Sequence, residues 1–100
     1  MSKVDDTLNL AAELVDKRGW TQKTYETRDG QVCLMGAIHM ALGIEPNVFT
    51  DDETFNIYLA ARDRLQDILD VDSPIEWNDQ PERTKEQVVS ALRAAARHAD

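Results

Sequence analysis

Apolar residues recur every three to four positions from Lys3 to Arg18. Val4, Leu8, Ala11, Ala12 and Val15 fall on one face, and Asp6, Asn9, Glu13 and Asp16 on the other, which is the period of an amphipathic helix. Ser2 is placed to cap it, and Lys17-Arg18-Gly19 supplies the cationic last turn and the glycine at which helices stop. Trp20 is expected to pack back on this helix. Between Lys23 and Cys33 the periodicity is lost, and Tyr25, Thr27 and Val32 surround Asp29-Gly30, a dipeptide that tolerates the positive φ angles of a tight turn. A short β-hairpin is expected near residues 23–33.

From Cys33 to Leu42 the chain is apolar on every face except at His39, as a short helix reads when neighbours surround it. Gly36-Ala37 removes bulk where another helix would cross, and Gly43 supplies the stop. Thr50-Asp51-Asp52-Glu53 reads as a capping box that opens a helix from Thr50 to about Leu69. Phe55, Tyr58, Leu59, Leu65, Ile68 and Leu69 form its expected buried stripe, with Asn56, Asp63 and Asp67 outside. A loop is expected from Asp70 to Arg83. Thr84-Lys85-Glu86-Gln87 is a second capping box, opening a helix to about His98 with Val88, Leu92, Ala95 and Ala96 inward. The small residues Ala91, Ala95 and Ala99 suit close packing inside a monomer or across a homodimer. The expected fold is mainly α: one compact four-helix domain over residues 1–100, built around the buried helix 33–42, with one short hairpin.

Composition narrows this picture. The chain has 100 residues, 42% of them hydrophobic, the size and apolar content of one folded domain. No run is long and apolar enough to span a bilayer, and Met1 to Asp6 lacks the basic-then-apolar layout of a secretory signal. With a single cysteine, these features predict a cytoplasmic protein of a bacterial or phage-infected cell, away from membranes. The formal net charge is −8, and it is unevenly spread. Residues 45–82 hold eleven acids against only Arg62 and Arg64, whereas residues 83–100 hold two acids and four bases. Such a surface repels phosphate backbones and attracts basic groups, so the expected partner is a basic protein, with no direct nucleic-acid contact. Asp51, Asp52, Asp63, Asp67, Asp70 and Asp72 are the candidate binding residues.

Candidate chemistry centres on Cys33, because a thiol at a helix N-terminus has its thiolate favoured by the backbone dipole. In a regular helix His39 lies about 9 Å further along the axis and about 120° around it, so it cannot serve the thiol within one regular helix, and His98 could do so only by tertiary approach. A small hydrolase or transferase would use Cys33 as nucleophile, His98 or His39 as base and Asn78 or Asp79 as orienter. The structural reading makes Cys33 a small buried hydrophobe and His39 a core histidine. In it the Trp77-Asn78-Asp79 loop satisfies the first amides of the central helix. Asp70, Asp72 and Glu76 lack the glycine and terminal acid of a calcium loop. Walker, dinucleotide, HExxH and paired CxxC motifs are absent, so no metal or cofactor is expected.

Gly19-Trp20 after the first helix, Cys33-Leu34-Met35-Gly36-Ala37-Ile38, Trp77-Asn78-Asp79, Arg83-Thr84 and Val88 occur in an order that resembles a known group. It is a family of small uncharacterised bacterial and bacteriophage proteins with a C-x-x-G-A helix and a W/F-N-D loop. The resemblance covers most of the chain and implies no known activity. It implies that Cys33, Gly36, Ala37, Asn78 and Asp79 form the family signature. The functional expectation is a non-enzymatic acidic interaction module, a phage or prophage accessory protein acting on a host partner. The alternative is the cysteine-dependent enzyme.

Overall fold

The computed structural model describes residues 2–98, and these form five α-helices: α1 Lys3–Arg18, α2 Leu34–Ala41, α3 Asp52–Leu69, α4 Pro74–Asn78 and α5 Lys85–Arg97. The fold is mainly α. Ser2 and Asp5 close the box that starts α1, and Thr84 and Gln87 do the same for α5, each pair exchanging side-chain and backbone hydrogen bonds. Gly19, with φ of 96°, ends α1. Ala99 of the small-residue face lies outside the described residues.

Three expectations are corrected. The cap of α3 is Asp51, not Thr50: its Oδ1 accepts the Thr54 amide at 2.7 Å. A carboxylate is a stronger acceptor than a hydroxyl at the positive end of a helix, so the start moves on by one residue. The expected loop 70–83 contains the one-turn helix α4, which Ser73 caps and Pro74 begins, the proline occupying a position that needs no amide hydrogen. The hairpin is reduced to isolated bridges, Glu26 to Val32 antiparallel and Trp20 to Val32 parallel. Only Gly30 of the turn has positive φ, 91°, whereas a two-residue hairpin turn of that type needs two such residues.

Around α2, residues Leu34 to His39 are all buried. α1 packs on α2 and α5, α3 lies across α5, and α4 closes over α2 and α3. Leu8, Leu34, Ile38, Leu65 and Leu92 are fully buried, each contributing about 2 kcal/mol of transfer free energy. The expected stripe of α3 holds at Leu65, with Tyr58, Ile68 and Leu69 packed against the core, and is corrected at Phe55 and Arg64. Ala61, Arg64 and Leu65 are its buried residues, while Phe55 is 41% exposed. Arg64 takes a core position because its guanidinium is matched there: Nη1 donates to Asp5 at 2.5 Å and to the Ala95 and Ala96 carbonyls at 3.3 and 3.4 Å. A cation at the C-terminal end of α5 also meets the negative end of that helix's dipole, and it ties α1, α3 and α5 together.

Candidate functional site

The first turn of α2 gathers most of the chain's conspicuous polar residues. Cys33 is its cap, with Sγ accepting the Gly36 amide at 3.2 Å. Asn78, at the end of α4 and buried, sets Oδ1 at 3.0 Å from the Leu34 amide and 2.8 Å from the Trp20 indole nitrogen. Its Nδ2 donates to the Thr21 carbonyl at 3.2 Å and to Asp79 Oδ1 at 3.0 Å. A primary amide has two donors and two acceptor lone pairs, and all four are engaged. Asp79 Oδ1 also accepts the Lys23 amide at 2.8 Å, where the backbone turns through a positive φ of 68°. Trp77 anchors the segment from outside, with the Arg83 guanidinium 3.9 Å over its ring and Arg83 Nε donating to its carbonyl at 2.8 Å.

Gly36 is needed for a different reason from the expected helix crossing. The loop after α1 runs directly against it, the Cys33 amide donating to the Tyr25 carbonyl at 3.1 Å. A Cβ on Gly36 would overlap that carbonyl, 2.8 Å from its carbon. Ala37 is fully buried in the core.

Beside the cap lies a cavity of about 320 Å³ lined by Lys23, Thr24, Tyr25, Cys33, Ile75 and Asp79. The structure thus brings Cys33 and Asp79 to one pocket, with Asn78 behind it. Cys33 is 4% exposed. Burial pushes its pKa up, outweighing the Gly36 and Met35 amides, and the Asp79 charge acts in the same direction. At neutral pH the group is a protonated thiol, the unreactive form.

Neither histidine lines this cavity. His39 is 1% exposed and sits among aromatic rings, stacked on Tyr58 at 5.2 Å, edge-on to Tyr25 at 5.3 Å and 6.0 Å from Phe49. Neither of its nitrogens has a hydrogen-bond partner among the described residues. Burial lowers its pKa, so it is neutral. His98 caps the end of α5 with Nε2 3.5 Å from Asp67 Oδ2.

The six candidate aspartates, Asp51, Asp52, Asp63, Asp67, Asp70 and Asp72, are all exposed. Four of them, Asp52, Asp63, Asp67 and Asp70, follow one another at close to whole turns of α3 and its C-cap, forming a single row. Among the described residues no group of three His, Cys, Asp or Glu side chains is arranged to hold a metal ion, and no helix is long and apolar enough to cross a membrane.

Sequence reasoning did not place Tyr25 or Ile75 at this pocket, which both reach through tertiary packing.

Fold and site together define a small helical protein in which a cysteine-capped central helix is pinned by an asparagine from a one-turn helix. The chain belongs to a family of unknown function (DUF6197), whose model matches residues 1–98. No curated protein and no solved structure matches it.

Proposed function

We propose that the protein is a non-enzymatic interaction module that binds a basic protein through the aspartate row of α3. The observation that carries the reading is the position of that row on its helix. Asp67 and Asp70 stand at the C-terminal end, where the helix dipole is already negative, and the last turn contains no basic residue. Carboxylates there destabilise the helix, whereas cations would stabilise it. A local rule broken with only the exposed Asp67–His98 contact to offset it is what a binding surface looks like before its partner arrives. Lysines and arginines of a partner would relieve the repulsion within the row and steer the encounter. The phage or prophage accessory role expected from the resemblance is one setting for such a partner. The cysteine-enzyme reading has a pocket in its favour, but its thiol is protonated and no imidazole lines that pocket.

The test is a pull-down with the wild-type protein and with a double variant, Asp63→Lys and Asp67→Lys, at about 50 and about 300 mM salt, between which the screening length shortens by a factor of about 2.4. The expected result is capture of a basic protein that falls steeply with salt and is lost in the variant. The variant is expected to fold as well as the wild type, because lysine near the end of α3 suits the dipole and the exposed Asp67–His98 pair contributes little. Salt-independent capture, or capture equal in the variant, overturns the reading.

A further inference from the structure

A second cavity, of about 200 Å³, lies between α2, α3 and the start of α4, and shares Ile75 with the pocket beside Cys33. Its apolar side is Met35, Pro74 and Ile75, and its polar side is Tyr58, Arg62, Gln66, Asp72 and Ser73. Most of those polar groups already have work within the fold. Gln66 Nε2 donates to the Asp72 carbonyl at 2.8 Å, and Ser73 Oγ accepts the Glu76 amide at 3.2 Å. Arg62 differs. Its guanidinium is hydrogen-bonded to the Tyr58 side chain, yet its Nε is buried with no hydrogen-bond partner, and among the described residues it forms no ion pair. This occurs in a chain with 19 acids against 11 lysines and arginines, where a carboxylate partner is the easiest thing to supply. A buried guanidinium N–H left unpaired is costly, and the group that satisfies it best is a carboxylate placed to take two parallel hydrogen bonds.

We propose that this cavity binds a small organic carboxylate with an apolar body. The carboxylate sits on Arg62, and the body lies against Met35, Pro74 and Ile75. The volume equals that of roughly seven water molecules at about 30 Å³ each, the size of a short-chain carboxylate such as hexanoate. Asp72 lines the same cavity without pairing with Arg62, so it acts as the internal competitor for the guanidinium and sets the affinity. This site is independent of the aspartate row, and its test does not involve a protein partner.

The experiment titrates the full chain with hexanoate, and separately with hexanamide, which has the same shape without the charge. It follows the Arg62 Nε–H and Met35 methyl resonances by NMR. Hexanoate is expected to shift both saturably, and hexanamide to bind at least about tenfold more weakly, the charge being worth about 1.4 kcal/mol or more. Arg62→Gln is expected to lose the discrimination between the two probes. Asp72→Asn, an exposed change that spares the fold, is expected to tighten hexanoate severalfold while leaving hexanamide unchanged. Equal binding of acid and amide, no saturable shift at Arg62, or no gain in Asp72→Asn would overturn the assignment.

Discussion

Trp20 and Asn78 are 58 residues apart and share one hydrogen bond, indole N–H to amide oxygen at 2.8 Å, while the same oxygen holds the first amide of α2. The start of the central helix is therefore assembled from three segments distant in sequence. Asn78→Leu keeps the volume but leaves the Trp20 and Leu34 donors and the Thr21 acceptor unpaired. At about 1–3 kcal/mol for each orphaned buried group, less what relaxation recovers, the expected loss is about 3 kcal/mol. Urea unfolding should show a lower midpoint with an unchanged m-value. A loss below about 1 kcal/mol would mean that the three groups find other partners.

Glycine in a helix is ordinarily improved by alanine, by about 1 kcal/mol. At Gly36 the sign should reverse, because the added methyl meets the backbone of Tyr25 rather than a yielding side chain. Displacing that backbone strains the Cys33–Tyr25 hydrogen bond, and Gly36→Ala should destabilise by about 2 kcal/mol or more. Thermal unfolding measures this directly, and a raised melting temperature would contradict the close approach.

The parts of the fold that were legible in the sequence are those fixed by neighbours in the chain. Ser2 with Asp5 and Thr84 with Gln87 are caps complete within four residues, and the apolar faces of α1 and α5 lie where their periods put them. α4 is too short to display a period, although Ser73 followed by Pro74 is a cap and a first-turn proline, a signal that is readable without periodicity. In α3 the period found Leu65, Tyr58, Ile68 and Leu69 but missed Arg64, because apolar periodicity counts only apolar residues. It does not see Arg64 occupying the core on the strength of Asp5 and two α5 carbonyls, all far away in sequence. Phe55 packs outside the core against Phe49, with ring centroids 5.0 Å apart, a contact across the turn from residues 43–50 into α3. At the site, a buried helix start and an Asn-Asp segment each visibly needed a partner. That Asn78 meets Leu34 across 44 residues is a property of the packing.

Cys33 is predicted to behave as a cap rather than a nucleophile. Its alkylation in the native protein should be far slower than in the unfolded chain, with a midpoint above the ordinary thiol range, because burial opposes the thiolate. Cys33→Ser should change stability by less than about 1 kcal/mol, since a serine oxygen accepts the Gly36 amide at least as well, whereas Cys33→Ala should cost about 1 kcal/mol through loss of the cap. A fast reaction with a low midpoint would return the pocket beside Asp79 to consideration as a catalytic one.

His39 gives the protein a specific sensitivity to mild acid. The imidazole is buried against Tyr25, Phe49 and Tyr58 with both nitrogens unpaired, and burial lowers its pKa from the ordinary 6.5. The cause of that lowering is the loss of hydration on burial. As pH falls below about 6.5 the unfolded chain takes up a proton that the folded chain does not. More protons bound in the unfolded state means that stability rises with pH, so it is lost progressively from about 6.5 down to the depressed folded value. The Asp5 carboxyl, whose pKa Arg64 and Ser2 hold below the ordinary 3.8, loses its contribution only in stronger acid, so the two windows separate. His39→Phe keeps an aromatic ring in the stack and removes two unsatisfied nitrogens. It should leave stability at pH 7 equal or higher by about 1 kcal/mol and flatten the profile between pH 6.5 and 5. Denaturant midpoints measured across that interval decide the matter: an unchanged slope in His39→Phe would mean that the imidazole is not what titrates.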